Sequence, residues 1–398
     1  MTNAEPGERP GLAALTGLRF LAAMGVLGFH YYCGPCEPHL PAWVGQLLGA
    51  GFTTVSLFFI LSGFILAYTY LDATGNFRGA LSTFARARFA RLYPIYFVAL
   101  VVELPFFIRS TQLAAPKASA VEVCRHTVAT LTLTQSWGMD VSRPIWNIVA
   151  WTLSVEAFFY AVFPRLGPSL GRLRARSLLA VAAGAWLLGL SPHAAPLAES
   201  WLSAHDAPAL LRSALSAWSR AMAIAIPLAR LPEFVIGVCL GVLFLRAPQP
   251  AGSPRTRTLG VLVTGLALAI AVSWVDGPPS PFLQSAVLVP LFALLIFLLA
   301  GGVAWRGLGL ATRGLAVLGG ASYALYMTHG AVLNSLLALN TRSLGLGHNT
   351  VALLAMPCAV LLSVVLFRFI EEPARAWLRR PRASLAVARP AVPASTGD

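Results

Sequence analysis

Apolar residues dominate ten long segments of the chain, and polar residues collect between them. These segments lie near 13–33, 54–71, 92–109, 145–164, 177–192, 231–246, 258–275, 282–303, 314–338 and 350–370. Each approaches the roughly 20 mostly apolar residues that a helix needs to cross the hydrocarbon core of a bilayer. The pattern therefore predicts an all-α, polytopic integral membrane protein with about ten transmembrane helices.

The composition agrees with a membrane protein. The chain has 398 residues, of which 57% are hydrophobic and 11% charged, whereas soluble domains average roughly 45–50% and 25%. An ordinary soluble enzyme, a disordered chain and a small disulfide scaffold are therefore excluded. The net charge of +14 is compatible with nucleic-acid binding, but no basic block with interleaved aromatic residues supports it. We expect loops that face anionic membrane lipid, and no nucleic-acid partner.

The distribution of basic residues predicts the orientation. If the N-terminus lies inside, most of the 29 Lys and Arg residues fall on inner loops and on the C-terminal tail. This distribution predicts that both termini lie in the cytoplasm. We expect the protein to lie in the inner membrane of the cell. We divide the chain into a cytoplasmic segment 1–12, a transmembrane domain 13–378 and a disordered cytoplasmic tail 379–398. Stretches 110–144 and 193–230 are too polar or broken to span simply, and the second is compatible with a re-entrant or interfacial helix on the outer face.

The first apolar segment carries an arginine and a histidine. Arg19 and His30 are separated by 11 positions, which on an α-helix is three turns plus about 20°, with a rise of about 16 Å. Both therefore share one face. Arginine binds phosphate bidentately, and histidine is a general base near neutral pH. The alternative is that Arg19 extends to lipid headgroups and His30 bonds a neighbouring helix.

A second polar stripe lies in the segment 151–164. Thr152, Glu156 and Tyr160 recur every four residues and share one helix face. A carboxyl group inside the bilayer must be paired, hydrated or neutral. Glu156 is thus a candidate functional residue, or the partner of an arginine on another helix.

A third set lies near the end of the chain. Ser322, Tyr326 and His329 share one face, and Gly319 and Gly320 precede them. Paired glycines permit a close approach of backbones. The polar face either contributes to a site or joins helices by hydrogen bonds.

Other motifs carry less weight. Cys33 and Cys36 form a CxxC flanked by His30 and His39; a local disulfide or two packed thiols is favoured over a zinc or redox site, because the first span exits there on the oxidising side. Walker, dinucleotide, HExxH and GxSxG motifs are absent. We predict no metal site.

Taken in order, these motifs resemble the membrane-bound acyltransferase-3 family, whose members are multi-pass O-acyltransferases. The resemblance covers about 15–378 and includes an arginine and histidine in the first helix, an FFxLSGF run, an arginine-rich segment, a WSLSVE-like run, an SYxxYLxH run and an ExP ending. The matching residues are Arg19 and His30; Phe58–Phe64; Arg86, Arg88, Arg91, Pro94 and Tyr96; Trp151–Glu156; Ser322, Tyr323, Tyr326 and His329; Glu371, Glu372 and Pro373.

Four positions depart from the family pattern. Ala157 replaces a second acid, Met327 replaces leucine, and Thr328 and Ala331 replace a tryptophan and a proline that often flank the late histidine. Some members carry an appended extracytoplasmic domain; none follows the last span here, so we expect the membrane domain alone to serve the acceptor.

The resemblance implies an acyl-CoA donor, with acetyl-CoA as the default, bound from the cytoplasm and not held permanently. Arg19, with Arg86, Arg88 and Arg91, would bind its phosphates. His30 would be the general base or a transient acyl carrier; Glu156 and His329 would orient it or bind the acceptor. The same resemblance assigns Ser322, Tyr323 and Tyr326 to substrate binding.

We therefore predict a membrane O-acyltransferase that modifies a hydroxyl of a carbohydrate, glycolipid or secreted natural product. A carrier or flippase for a sugar, lipid or metabolite is the alternative, since it shares the buried polar residues but needs no thioester donor.

Overall fold

The structure is a computed structural model and is helical along nearly all of the residues that it describes. Those residues are 12–32, 41–114, 119–138, 146–205, 208–224, 226–247, 253–273, 280–301, 313–341 and 345–379. The first eight helices are α1 Ala13–Tyr32, α2 Ala42–Gly49, α3 Thr54–Tyr70, α4 Leu81–Ala114, α5 Ala120–Leu131, α6 Trp151–Gly171, α7 Ala175–Ala204 and α8 Ala209–Ile224. The next eight are α9 Ile226–Ala229, α10 Leu231–Arg246, α11 Pro254–Ser273, α12 Pro281–Leu283, α13 Val289–Ala300, α14 Arg313–Leu339, α15 His348–Leu366 and α16 Glu372–Arg379.

Short irregular turns interrupt or precede several of these helices. Among the described residues, 3₁₀ turns include Ala50–Thr53 and Ile148–Ala150, and π-helical turns include Gln284–Leu288, between α12 and α13, and Phe367–Glu371, between α15 and α16. A π turn widens the helix by one residue and is frequently found at functional sites. These two π turns each carry a buried polar residue, Gln284 and Glu371 respectively.

The predicted all-α, polytopic membrane fold is confirmed. Among the described residues, eight helical stretches are long and apolar enough to cross a membrane. Each of the ten predicted segments coincides with a helix, but α6 and α14 are not among these eight. The polar residues of α6 and α14 lower their hydropathy, and both helices turn polar side chains toward a shared cavity rather than toward lipid.

Glycine contacts bring the central helices unusually close together. A Cβ atom on Gly237 of α10 would lie 1.9 Å from the carbonyl oxygen of Ile60 on α3. A Cβ atom on Gly319 of α14 would lie 2.1 Å from the carbonyl oxygen of Thr16 on α1. Only glycine permits backbones to approach this closely. The close approach expected at Gly319 is therefore confirmed, and α1 is its partner.

Aromatic packing and a capping arginine hold α6 against α10. The rings of Phe159 and Phe234 stack with their centroids 4.4 Å apart, and both side chains are fully buried. At the other end, Arg246 of α10 donates hydrogen bonds to the carbonyl oxygens of Gly171 and Leu173. Cations near a helix C-terminus satisfy carbonyl groups that lack partners within the helix. The polar stripe of α6 is thus fixed at both ends.

The described residues of the stretch 193–230 are mostly helical. Helix α7 continues through Pro192 and Pro196 to Ala204, well past the predicted end of its span at 192. Helix α8 packs back on α7, and the indole nitrogen of Trp218 donates to the hydroxyl oxygen of Ser191 over 3.1 Å. Proline weakens a helix by removing one hydrogen bond, and the contact with α8 supports α7 next to these prolines.

Three predictions concern residues that the structure does not describe. All but one residue of the segment 1–12, and of the tail 379–398, lie outside the described residues. Cys33, Cys36 and His39 also lie outside them. The orientation of the termini and the state of the CxxC motif therefore remain predictions.

Candidate functional site

A cavity of about 110 Å³ lies among α1, α3, α4, α6 and α14. It brings together most of the polar residues that the sequence singled out from separate segments. Its polar lining consists of Arg19, Ser62, Arg88, Arg91, Thr152, Glu156, Tyr160, Ser322, Tyr323 and Tyr326. Apolar side chains of α3 complete the wall. We call it the arginine cavity, because three arginines enter it from two helices.

The three arginines differ in their partners. Arg91 forms an ion pair with Glu371, which also pairs with Arg375. Arg88 donates to the hydroxyl oxygen of Tyr70 over 2.9 Å. Arg19 forms no hydrogen bond or ion pair with any residue that the structure describes. Arg19 therefore has all its donors available for a ligand.

The polar stripe of α6 faces this cavity along its length. Thr152, Glu156 and Tyr160 all line it, and the Tyr160 hydroxyl donates to a carboxylate oxygen of Glu156. None of the four ion pairs among the described residues involves Glu156. The alternative of a structural ion pair for Glu156 thus finds no partner in the described part of the chain, and its carboxyl group lies in the same space as the three arginines.

Helix α14 forms the opposite wall. Ser322 and Tyr326 line the cavity on the face that the sequence predicted, and Tyr323 lines it as well. The Tyr323 hydroxyl donates to the carbonyl oxygen of Leu92 over 2.7 Å, and the Ser322 hydroxyl to that of Gly319 over 2.7 Å. The Tyr323 bond fixes α14 against α4, and the Ser322 bond lies within α14.

Two histidines meet beyond the end of the cavity. The ring centroids of His30 and His329 are 5.2 Å apart. Nδ1 of His329 lies 2.9 Å from the carbonyl oxygen of Tyr326 and must donate to it, so Nε2 carries the lone pair. This Nε2 is buried and has no partner among the described residues. His329 is therefore held as a hydrogen-bond acceptor beside His30.

The arginine cavity and the histidine pair are adjacent but separate. Neither His30 nor His329 lines the cavity. Tyr326 lines it together with Phe58, 5.9 Å away between ring centroids, and the Tyr326 ring is 6.3 Å from that of His329. Arg19 lines the cavity, and His30 lies against His329 of α14. Tyr326, which packs on Phe58, lies between the cavity and His329.

One predicted site residue lies outside both the arginine cavity and the histidine pair, and two further polar residues near the site were not predicted. Arg86 is exposed and does not line the cavity. Ser62 lies in the FFxLSGF run but is not among the predicted site residues. A serine inside an apolar run is the sequence signal that identifies it as a candidate. Glu103 is 7% exposed, and its Oε1 lies 3.6 Å from the Cβ position of Gly330, next to His329. An acid inside the apolar segment 92–109 was the signal for Glu103.

No metal centre is formed by the described residues. Among them, no three His, Cys, Asp or Glu side chains come together as a set that could hold a metal ion.

Comparisons with known proteins point to one family. The sequence profile of a family described as an acyltransferase domain, acyltransferase-3, matches residues 12–368. Acyltransferase MdmB of Streptomyces mycarofaciens is 29% identical over 384 residues, covering 93% of each chain. Exopolysaccharide production protein ExoZ of Rhizobium meliloti is 25% identical over 349 residues, covering 87% of this chain and 95% of its own.

A further relative is similar over a comparable length. Nodulation protein 10 of Rhizobium leguminosarum bv. viciae is 24% identical over 381 residues, covering 90% of this chain and 91% of its own. No solved structure matches the chain. The profile match covers nearly the whole described bundle, including every helix that lines the arginine cavity. The chain is therefore a multi-pass membrane protein that belongs to the acyltransferase-3 family.

Proposed function

We propose that this acyltransferase is acyl-CoA-dependent, and that it transfers an acyl group, acetyl by default, to a hydroxyl of a carbohydrate, glycolipid or secreted natural product. We place it in the inner membrane of the cell. The observation that carries the proposal is the convergence of Arg19, Arg88 and Arg91 on one cavity. Arg91 is paired with Glu371 and Glu156 is the one acid in the described lining, so guanidinium groups outnumber carboxyl groups there. An excess of cations inside a membrane is costly unless a further anion binds.

The donor's phosphates would bind at the arginines. Guanidinium groups bind phosphate bidentately and remain charged at all relevant pH values. Arg19 has no partner among the described residues, whereas Arg91 shares Glu371 with Arg375. The cavity, at about 110 Å³, is smaller than the roughly 300 Å³ at which pockets for compact ligands begin. An extended arm suits this space better than a nucleotide, which would remain at the entrance.

The reaction would take place at the histidine pair. As the acceptor oxygen attacks the thioester carbonyl, His30 takes the hydroxyl proton; the C–S bond then breaks, and the leaving thiolate receives that proton. In the second route, an imidazole nitrogen of His30 attacks the thioester carbonyl and the C–S bond breaks, so that CoA leaves as the thiolate. The acceptor hydroxyl then attacks the acyl-imidazole, His30 is released, and the hydroxyl proton passes to the thiolate. In both routes, the lone pair on Nε2 of His329 would orient His30 or the acceptor hydroxyl. The products are an ester and CoA.

The relatives support a hydroxyl-bearing acceptor. ExoZ is named for exopolysaccharide production, and MdmB is named an acyltransferase. Carbohydrates and natural products both offer hydroxyl groups, and the same histidine chemistry serves either. The identities of the acceptor and of the donor are both part of the proposal, and biochemical experiments test them.

The decisive experiment uses the full chain, purified in detergent, with radiolabelled acetyl-CoA. We expect saturable binding and slow CoA release, since water replaces the acceptor in its absence. His30→Ala should lower CoA release by about 10²–10⁴-fold, the usual contribution of a general base. Wild-type levels of CoA release in this variant would contradict the role of His30.

A matched control guards against nonspecific effects. His205 is exposed at the end of α7, so His205→Ala should leave CoA release unchanged. Substrate uptake into vesicles without any CoA release would favour the carrier alternative and contradict the proposal.

A further inference from the structure

A second cavity, of about 310 Å³, lies between α6, α7, α10 and the π turn before α13. This volume is at the lower end of the roughly 300–1,000 Å³ range of small-molecule sites. The donor chemistry proposed above leaves it unused. Its polar and aromatic lining includes Trp151, Trp186, His193, Arg230, Glu233 and Ser285.

The carboxylate of Glu233 offers an unused acceptor in this cavity. Glu233 is 6% exposed. Its Oε1 accepts hydrogen bonds from the hydroxyl of Ser56 over 2.7 Å and from Arg230 over 3.0 Å. Its Oε2 is buried and has no partner among the described residues. A buried carboxylate oxygen without a donor is costly, and a ligand hydroxyl would satisfy it.

A chain of buried hydrogen bonds holds this carboxylate in place. The side-chain amide of Gln284 donates to the Ser56 hydroxyl oxygen over 2.7 Å, and Ser56 donates onward to Glu233. Ser56 and Gln284 are 0% and 2% exposed. Gln284 begins the π turn, a geometry that is frequently found at functional sites. The orientation of the carboxylate is therefore fixed before any ligand binds.

Two indole rings complete the lining. The guanidinium carbon of Arg230 lies 6.0 Å from the centroid of the Trp151 ring. The Trp186 nitrogen donates to the carbonyl oxygen of Ser285 over 2.9 Å, which fixes that ring as well. Rigid indoles bury apolar C–H surface, whereas a carboxylate and a guanidinium bind hydroxyl groups.

We propose that this second cavity binds an uncharged, polyhydroxylated ring such as a pyranose, and that this ring belongs to the acyl acceptor. The second part of the statement rests on the proposed function. The paired charges of Arg230 and Glu233 favour a neutral ligand over an anion. Three observations carry the inference: the free Oε2, the buried network behind it and the fixed indoles.

The position of the cavity agrees with an acceptor. Ser56, which bonds Glu233, lies near the start of α3, whereas Tyr70, which bonds Arg88, ends it. Fourteen residues of helix, about 21 Å, separate Ser56 from Tyr70. The histidine-bearing end of α1 lies at the start of α3, since the Phe29 and Phe52 rings are 5.3 Å apart. The second cavity is therefore at the histidine end of α3, opposite Arg88.

The test measures thermal stabilisation of the purified full chain by methyl glycosides, which requires no donor. Glu233→Gln keeps one oxygen for Ser56 and Arg230 but replaces Oε2 by an amide donor. We expect the glycoside concentration that gives half of the thermal shift to rise about ten-fold or more, since a hydrogen bond to a charged group is lost. Half-saturation by acetyl-CoA should not change.

A second variant and a control complete the design. Ala229→Leu fills the cavity without removing a polar group and should also abolish the glycoside shift. Glu199→Gln alters a glutamate of α7 outside the lining and should retain it. An unchanged glycoside response in Glu233→Gln and Ala229→Leu, or no response of the wild-type chain to any glycoside, would overturn the inference. A glycoside response without acetyl-CoA binding would instead contradict the proposed function.

Discussion

The three arginines of the cavity have the same charge but different environments, and this difference determines which one a ligand needs most. Arg91 is neutralised by Glu371, and Arg88 lies over the Tyr70 ring, 5.1 Å from its centroid, while donating to its hydroxyl. Arg19 has no such partner among the described residues. A donor phosphate would therefore displace no described partner of Arg19, and we expect binding there to have the largest net effect.

Arg19→Gln should consequently weaken acyl-CoA binding more than it slows the chemical step. A hydrogen bond to a charged group contributes about 1.5–3 kcal/mol, or roughly ten- to hundred-fold in affinity. Initial rates across an acetyl-CoA series separate KM from kcat. Arg109→Gln alters an exposed arginine of α4 and serves as the control. A variant with an unchanged KM for acetyl-CoA would remove Arg19 from the phosphate site.

His329 is constrained more tightly than His30. Its Nδ1 donates to a backbone carbonyl, and its Nε2 is buried without a described partner. We expect His329→Ala to lower kcat by about 10²-fold or more and to leave the KM for acetyl-CoA unchanged, since the arginines are intact. Rate measurements over a pH series test this expectation. Equal kcat in variant and wild type would limit His329 to helix packing.

At the scale of elements, helix spacing determines whether the two histidines meet. Gly319 lies against the backbone of Thr16, so that α14 and α1 touch without intervening side chains. This contact is ten residues from His329 on α14, on the same pair of helices that carries both imidazoles. The close approach therefore maintains the 5.2 Å separation of the rings.

Gly319→Leu should separate α1 from α14 and reduce both thermal stability and acyl transfer. Overpacking of a tight contact typically costs about 1–3 kcal/mol. Gly265→Leu, on α11, is the matched control because no atom lies within 4 Å of its Cβ position. Thermal unfolding followed by fluorescence, together with CoA release, measures both effects. If the two variants behaved alike, the α1–α14 contact would have no special role.

The loop between α3 and α4 makes a pH-dependent contribution to the stability of the fold. Asp72 accepts hydrogen bonds from the Thr74 hydroxyl and from the backbone N–H groups of Thr74 and Asn76. The Thr74 hydroxyl first, and then these N–H groups, hold the pKa of Asp72 below its usual value. A lowered folded-state pKa stabilises the fold above the unfolded-state pKa of about 3.9 and loses this effect as pH falls through the folded value.

Asp72→Asn should therefore lower thermal stability slightly at neutral pH and not at strongly acidic pH. The effect is small because Asp72 is exposed to solvent, which screens its interactions. Melting temperatures of wild type and variant between neutral and acidic pH test the trend. A stability difference that grew as pH fell would contradict the expected sign of the effect.

On the scale of the whole molecule, the helix directions place Arg88 of the arginine cavity and Glu233 of the second cavity at different ends of the bundle, and the arginine cavity extends along α3 between those ends. With the predicted orientation, Arg88 and Arg91 lie near the cytoplasmic start of α4, and Glu233 lies near the outer start of α10. Donor and acceptor would then approach the histidine pair from opposite membrane faces. The predicted orientation therefore specifies the membrane face from which each substrate would enter, as well as the direction of each helix.

Reporter fusions test this orientation directly. Green fluorescent protein fused to either terminus should fluoresce, because it folds in the cytoplasm, and a periplasmic phosphatase inserted between α7 and α8 should be active. The reverse pattern would place the arginine cavity on the outer side and contradict cytoplasmic acyl-CoA as the donor.

The sequence by itself determined the all-α membrane fold, its helical segments and most of the residues of the arginine cavity. Helix periodicity is local, so Thr152, Glu156 and Tyr160 could be placed on one face from their spacing alone. Apolar length is local as well, and every predicted segment coincides with a helix. The family motifs likewise marked Arg88, Arg91 and Tyr326 before any contact was known.

Only the tertiary structure decided which faces meet. No local pattern reveals that Glu371 neutralises Arg91, that Tyr326 lies between the arginine cavity and His329, or that Gln284, Ser56 and Glu233 form one buried network. These contacts join residues up to 280 positions apart in sequence. They depend on the distances and rotations between packed helices, which glycine contacts such as Gly237 with Ile60 establish.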